Sequence, residues 1–432
     1  MNYSQTLEYL YAQLPMFHRV GAAAYKANLD NTIALAGHLG NPQDDFPSIH
    51  IAGTNGKGSV AHILASALQQ AGYKTGLATS PHLKDFRERF RINGRQIPEE
   101  YITGFVLKHK NFLEKIQPSF FEMTIAMTFD FFSREKVDIA VVETGMGGRL
   151  DSTNIIHPEL SIITNIGLDH MNLLGDTLPK IAREKAGIIK TGVPLVVGRR
   201  QIETMPVFDE KAKDIGAPIV YAEDSYKLEN PKYTTVDGQP MIEARLRCHE
   251  DVIDIRSPLT GTYQYENICT AFAAIEQINK AGRFRLPLDA AVKGLAKVVE
   301  NTGMAGRWQQ LSKNPLTICD TGHNHDGMVR ILENIRMTTF GHLHFVLGMM
   351  NDKDILGILK LLPVDNTTYY FCKPDVPRGL DVLKLKESAL QLGMKGESYF
   401  SVEEALASAR QKAHNRDLVF VGGSTFVVAE VV

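Results

Sequence analysis

The chain has 432 residues, beyond the size at which one hydrophobic core usually stops growing, so two domains are expected. Apolar residues make up 44% and charged residues 22%, as in an ordinary water-soluble globular protein. A net charge of -2 excludes the basic surplus that nucleic-acid binding demands, so an anionic substrate has to be met by a local cluster of cations.

The first residues, MNYSQTLEYLYAQLPMF, carry Glu8 and polar breaks where a signal peptide needs an unbroken apolar run. No stretch approaches the roughly 20 apolar residues of a membrane span. Cys248, Cys269, Cys319 and Cys372 lie far apart and form no CxxC pair, which suits a reducing compartment. The expectation is a soluble cytoplasmic protein that engages no membrane.

Short apolar runs then alternate with helical patterns. The strand candidates are SIHIA (48–52), TGLAT (75–79), DIAVVE (138–143), LSIITN (160–165) and VPLVVG (193–198). Helix-like stretches such as VAHILASALQQAG and FEMTIAMTFDFFSREK separate them, which predicts a mostly parallel α/β sheet. Over 225–256 charged residues alternate with apolar ones, as in a solvent-facing antiparallel excursion. Two helical patterns run to Glu300, and the Gly-containing NTGMAGRW reads as a linker and hinge. After it LTICD, HFVLGM, TYYFC and LVFVGG alternate with helices. The expected division is therefore an N-terminal and central domain over 1–300 and a smaller C-terminal α/β domain over 301–432.

After SIHIA comes GTNGKGS, Gly53 to Ser59, followed at once by a helix. Glycines turn the backbone tightly and expose N–H groups, and the helix start adds partial positive charge, so this loop is expected to cradle phosphates. Lys57 can bridge phosphate oxygens, and Ser59 can bond a phosphate or magnesium. Gly58 between them departs from the usual G-x-x-x-x-G-K-[ST] spacing.

Ser80, Glu143 and His170 all follow predicted strands of the same sheet. Ligands of open α/β sheets lie beyond the carboxyl ends of the strands, so these residues can converge with Lys57 and Ser59. Hydroxyl and carboxylate oxygens suit magnesium; histidine is a less usual ligand. Lys185, on a predicted helix, reads on chemistry alone as a solvated or salt-bridged lysine. The basic run Lys84, Arg87, Arg89, Arg91 and Arg95, opposed by Asp85 and Glu88, reads equally as an anion-holding cluster or a solvated face.

Taken together the segments HLGNPQDDFPSIHIAGTNGKGSV, LATSPHLKDFRERFRING, VVETGMGGRLDSTN, TNIGLDHMNLLGDTLPKIAREKAGIIK, GRW and CDTGHN resemble, in order and spacing, the folylpolyglutamate synthase / dihydrofolate synthase family of the Mur ligase superfamily. The resemblance implies a Mur-ligase-type central P-loop ATPase domain and a smaller C-terminal α/β domain. It implies a ligase that adds L-glutamate to dihydropteroate or to the tail of reduced folates through an acyl phosphate. ATP would be held by Asn55, Gly56, Lys57, Gly58, Ser59, Asn267, Arg307 and Asp320. Two Mg²⁺ would be held by Ser59, Ser80, Glu143, His170 and Lys185, the last carbamylated, which reverses the reading from chemistry alone. Lys57, Glu143, His170, Lys185 and His323 would be catalytic; His323 and Ser424 would lie near the incoming glutamate, and Lys26, Ala27, Asn28 and Leu29 near the pterin. Family precedent implies a monomer. Two departures stand out: Thr321 and His325 replace usual residues in DTGHNH, and MFHRVGAAAYKANLDNT differs from the commoner form. The nearest rival is a Mur-type peptidoglycan-precursor ligase. A rival of another class is a nucleotide-binding regulatory protein whose ATP turnover would be indifferent to glutamate and folate.

Overall fold

The computed structural model describes residues 1–15 and 28–432. Lys26 and Ala27, expected near the pterin, lie outside the described residues. The described chain forms two compact units: residues 1–258 with 264–304, and 259–263 with 305–432. The expected boundary at 300/301 falls inside the helix Val298–Thr302, and the units meet at Met304 and Ala305.

In the first unit the strands are β1 (Ser48–Ala52), β2 (Thr75–Ala78), β3 (Phe90–Ile92), β4 (Arg95–Gln96), β5 (Ile139–Glu143), β6 (Leu160–Ile163), β7 (Leu195–Val197) and β8 (Ile219–Tyr221). They form one sheet in the order β4-β3-β2-β5-β1-β6-β7-β8. All neighbours from β2 to β8 run parallel, and β3 and β4 add an antiparallel edge. Every residue of β1 and β5 is buried, which is why these strands read as unbroken apolar runs rather than alternating ones. Aromatic side chains of the helices Glu99–Ile116 and Phe120–Arg134, among them Phe105, Phe120, Phe129 and Phe132, pack with Ala140 and Val142 of β5. The second helix starts at a capping box: Ser119 accepts from Glu122 N, and Glu122 accepts from Ser119 N.

The polar stretch at 225–256 is a three-stranded antiparallel sheet of β9 (Tyr226–Val236), β10 (Gln239–Cys248) and β11 (Asp251–Ser257). Ion pairs such as Arg247–Glu229 and Arg256–Glu243 cross its exposed face, which explains the charge alternation.

The second unit holds β12 (Gln309–Lys313), β13 (Leu316–Cys319), β14 (Leu343–Leu347), β15 (Thr367–Cys372), β16 (Gly396–Tyr399) and β17 (Leu418–Gly422), ordered β12-β13-β17-β14-β15-β16. All neighbours are parallel except β12 with β13. Phe345, Tyr369, Phe371 and Phe420 form the centre of its core.

Candidate active site

Between β1 and the helix Lys57–Gln70 the backbone turns through two glycines for which a side chain has no room. Gly53 (φ 149°) would put a Cβ 1.9 Å from Thr164 Oγ1, and Gly56 (φ 86°) would put one 2.2 Å from Asn267 Oδ1. Gly56 is the helix N-cap in a left-handed conformation that glycine adopts without steric cost, leaving the first N–H groups of the helix without side-chain caps. Asn55 N donates to Asn165 Oδ1 at 3.0 Å, and Thr164 Oγ1 donates to Asn55 O at 2.6 Å, so the turn is moulded by the end of β6. Ser59 is buried in the first turn of the helix.

The Lys57 ammonium curls back over this loop, donating to Gly53 O at 3.1 Å and to Thr54 O at 3.3 Å. Lys185 is 4% exposed and donates to the same Gly53 oxygen at 2.8 Å, so the solvated-lysine reading is corrected. Burial, with the Lys57 charge next, lowers its pKa to about 7, against the pull of Asp169 and Asp151. Lys185 is the last residue of the helix Leu178–Lys185 and is buried, while the preceding Glu184 pairs with Arg149 at 2.9 Å.

β5 lies between β2 and β1, and Glu143 pairs in register with Ile51. Its carboxylate accepts from Ser80 N at 3.2 Å and is buried, so the ends of β2, β5 and β1 meet as expected for Ser80, Glu143 and the phosphate loop. His170 opens the short helix Met171–Leu174 in a left-handed conformation (φ 51°), its N–H held by Asp169 Oδ1 at 2.9 Å. Asp151 is buried and accepts from Met146 N, Thr153 N and Thr153 Oγ1, which fixes the glycine-rich turn after Glu143. Asn267 is buried in the helix Gln264–Ala281 and donates to Gln264 Oε1 at 2.8 Å.

The basic run does not act as one surface. Arg87 is bound by Asp85 at 2.6 Å and by Glu99 at 3.1 Å. Arg91 is buried, with Nη1 donating to the carbonyls of Thr302 and Gly303, and so serves the end of the first unit. Arg89 is also buried; desolvation lowers its pKa to about 10, opposed by the charges of Tyr11, Glu143 and Glu88, and its Nε donates to His82 Nδ1 at 2.8 Å. Asn28 is exposed, and its Oδ1 accepts from the nearby Asp30 N at 3.3 Å.

In the second unit Asp320 is buried just after β13. Its Oδ2 accepts from Tyr263 Oη and from Trp308 N (2.8 Å), and its Oδ1 from Gly322 N (2.8 Å). Burial raises its pKa, while these bonds and Arg307 oppose that shift. Arg307 Nη1 donates to Gly306 O and to Thr321 Oγ1, so the threonine that departs from the family pattern takes up the guanidinium. His323 is half-buried with Nδ1 3.0 Å from Thr321 O, and Asn324 caps the helix His325–Met337. Ser424 is buried after β17 and accepts from Phe426 N at 3.2 Å. Thr164, Asn165 and Tyr263 were missed; the strand-end rule that selected Glu143 also points to Thr164 and Asn165, at the end of LSIITN.

The Mur ligase middle-domain profile matches residues 51–275, and the Mur ligase glutamate-ligase-domain profile matches 306–425. The dihydrofolate synthase/folylpolyglutamate synthase of Bacillus subtilis is 32% identical, over 94% of this chain and 94% of its own length. Escherichia coli FolC in complex with DHPP and ADP superposes with a TM-score of 0.84 at 28% identity, covering 100% of this chain and 97% of that one. The Yersinia pestis bifunctional folylpolyglutamate synthase/dihydrofolate synthase, complexed with AMPPNP and Mn ion, gives 0.82 at 28% identity and covers 100% of this chain and 97% of that one. With both domains matched and relatives aligned end to end, the chain belongs to the folylpolyglutamate synthase / dihydrofolate synthase family of Mur ligases.

Proposed function

We propose that the chain adds L-glutamate to dihydropteroate and to the glutamate tail of reduced folates, forming an acyl phosphate from ATP and releasing ADP and phosphate. As a family member it is an amide-bond-forming ligase. The observation that carries the reading is the pair of ammonium groups, Lys57 and Lys185, sharing the Gly53 carbonyl beside a glycine turn with no side chain in the way.

A carboxylate acylates poorly because its oxygen leaves badly. Transfer of the ATP γ-phosphoryl group onto that oxygen provides a good leaving group. The N–H groups of the Gly56 turn and the Lys57 ammonium meet the charge that spreads over the phosphoryl oxygens. Asn55, Gly58, Ser59 and Asn267 shape the phosphate site, and Arg307 with Asp320 holds the rest of the nucleotide. The amine of glutamate, oriented by His323 and Ser424, then attacks the activated carbonyl, and phosphate departs from the tetrahedral intermediate. Exclusion of water protects the acyl phosphate from hydrolysis.

The donor set fits a hard divalent cation: the Ser59 and Ser80 hydroxyls, the Glu143 carboxylate and one imidazole, His170. Magnesium bound there supplies charge neutralisation at the terminal phosphate. A protonated Lys185 would oppose it, whereas a lysine whose pKa has fallen to about 7 offers a neutral amine for CO₂. The resulting carbamate replaces a cation by two oxygen donors, and this is the role assigned to Lys185. Asn28, within the segment that differs from the family's commoner form, is assigned to the pterin side with Lys26. The enzyme is taken to work as a monomer in the cytoplasm; no described helix is long and apolar enough to cross a membrane.

The test is phosphate release from ATP with glutamate, comparing dihydropteroate and tetrahydrofolate as acceptors. Both are expected to give one ADP and one phosphate per amide. Pyrophosphate at one per amide sinks the acyl-phosphate route, and failure on dihydropteroate alone leaves a polyglutamate synthase.

A further inference from the structure

Beyond the end of β6 at Ile163 the chain crosses a buried stretch before it reaches His170, and Ile166 is only 2% exposed. A buried peptide group needs both an acceptor for its N–H and a donor for its C=O. At Ile166 one side chain supplies both. Ile166 N donates to Gln201 Oε1 at 2.8 Å, and Gln201 Nε2 donates to Ile166 O at 2.8 Å. A primary amide carries an acceptor oxygen and N–H donors, so it answers a peptide group as an adjacent strand does.

The next residue is held in the same way by a second side chain. Gly167 N donates to Thr54 Oγ1 at 2.9 Å, and Thr54 Oγ1 donates to Gly167 O at 3.2 Å, while Thr54 N donates to Asn165 O at 2.9 Å. Every polar backbone group from Asn165 O to Gly167 O is thus engaged by Thr54 or Gln201. Thr54 belongs to the phosphate loop itself. Gln201 comes from another element: it follows β7, where Gly198 N and Arg199 N prolong the pairing with β6 by donating to Ile163 O and Thr164 O. Its own carbonyl accepts from Thr204 N and Met205 N at the start of the helix Met205–Asp214, so the clamp is itself fixed.

Only Leu168 and Asp169 separate the clamped segment from His170. The Ile166 side chain shares an apolar cluster with Leu174, which ends the helix that His170 opens, and with Ile181 and Ala182 of the helix that ends in Lys185. We infer that Gln201 is a positioning residue: by clamping Ile166 it sets where His170 stands relative to the phosphate turn, and so how well the metal site forms. This rests on the reading of His170 as a metal ligand. Groups that hold a ligand in place typically govern metal affinity by about tenfold or more. A glutamine that merely closes a loop would add stability and leave metal affinity alone.

The experiment is Mn²⁺ binding to the full-length protein with one equivalent of AMPPNP, followed by continuous-wave and pulsed electron paramagnetic resonance. The parent, Gln201→Leu, His170→Ala and the double variant are compared, with Tm measured on each. Gln201→Leu removes both hydrogen bonds at nearly constant size. It is expected to weaken Mn²⁺ binding roughly tenfold and to diminish the imidazole-nitrogen coupling of the bound ion. On the His170→Ala background it is expected to add less than about twofold. Parental Mn²⁺ affinity with only a lower Tm, or the full tenfold loss on the His170→Ala background, overturns the inference. If Gln201→Leu does not fold, Gln201→Glu takes its place with the same expected and overturning results; it keeps the acceptor for Ile166 N and turns a carboxylate oxygen toward Ile166 O. A nitrogen coupling that persists unchanged in His170→Ala, or Mn²⁺ affinity there equal to the parent's, refutes the ligand reading and the inference with it, an outcome distinct from failure of the clamp alone.

Discussion

At the carboxyl end of β1 two ammonium groups hydrogen-bond to carbonyl oxygens, whereas just beyond β13 a carboxylate collects three donors. Each unit has its own mostly parallel sheet and carries its candidate residues after the carboxyl ends of strands, but the two treat charge differently. Asp320 is solvated by the protein itself, with phenol and backbone N–H groups replacing water. Among the described residues the half-buried Lys57 and the buried Lys185 hydrogen-bond to backbone carbonyls, so their charge is compensated only in part. A buried cation held this way is costly unless a counter-ion arrives or the proton leaves. An anion at the phosphate turn would offset the lysine charge, whereas the Asp320 carboxylate already has its donors.

The largest expected effect tests the incomplete half. Lys57→Ala and Lys185→Ala should each lower turnover by about 10² to 10³ or more, the scale of one preorganised electrostatic group, while the fold survives. Small carboxylic acids should partly restore Lys185→Ala, because they can fill the space of the proposed carbamate, and Lys185→Arg should stay inactive. Near-normal turnover in either alanine variant removes that lysine from the site.

A middle-sized effect concerns stability against pH. Lys185 loses its proton near 7 in the folded protein but near its ordinary 10.5 when unfolded. Between those values the unfolded chain binds the extra proton, so stability rises with pH across the window and is flat below it. In CO₂-free buffer with chelator, Lys185→Met should flatten the rise of Tm between pH 7 and 10. An unchanged slope would mean that the buried amine does not titrate as its surroundings dictate.

The smallest effect sets the baseline for surface charge. Lys293 pairs with Asp289 at 3.3 Å on an exposed helix face, and Lys293→Ala should shift stability by no more than about 0.5 kcal/mol with turnover intact. A larger loss would blur the contrast between paired surface charges and the lysines at β1.

Much of this was legible in the chain. β1, β5, β6, β13 and β17 are apolar runs that could be read, as could the short β2, and strand-end position then selected Glu143 and Ser80. The polar β12 (QQLSK) and β16 (GESY) could not, because they lie at sheet edges where pairing rather than burial defines them. Residue chemistry alone also misjudged Lys185: its partner, the Gly53 carbonyl, is 132 positions away, and no local pattern encodes such a contact. Nor did spacing separate Arg91 from Arg87, though one is buried against helix-end carbonyls and the other pairs with carboxylates. The same holds for Leu259–Tyr263, whose allegiance to the second unit is set by Asn334 and Asp320 far downstream.

The position of β1 in its sheet bears on how the protein is made. Its two neighbours are β5 and β6, and neither exists until the ribosome has passed residues 139 and 160. Meanwhile β1 and the helix after it emerge with Ile49, Ile51, Val60, Ile63, Leu64 and Leu68, all fully buried in the finished protein, and no strand to cover them. Pairing of this kind is non-local and slow, and it leaves apolar surface open during synthesis. Any truncation ending before Ile139 therefore carries the phosphate-loop sequence without the two strands that flank β1.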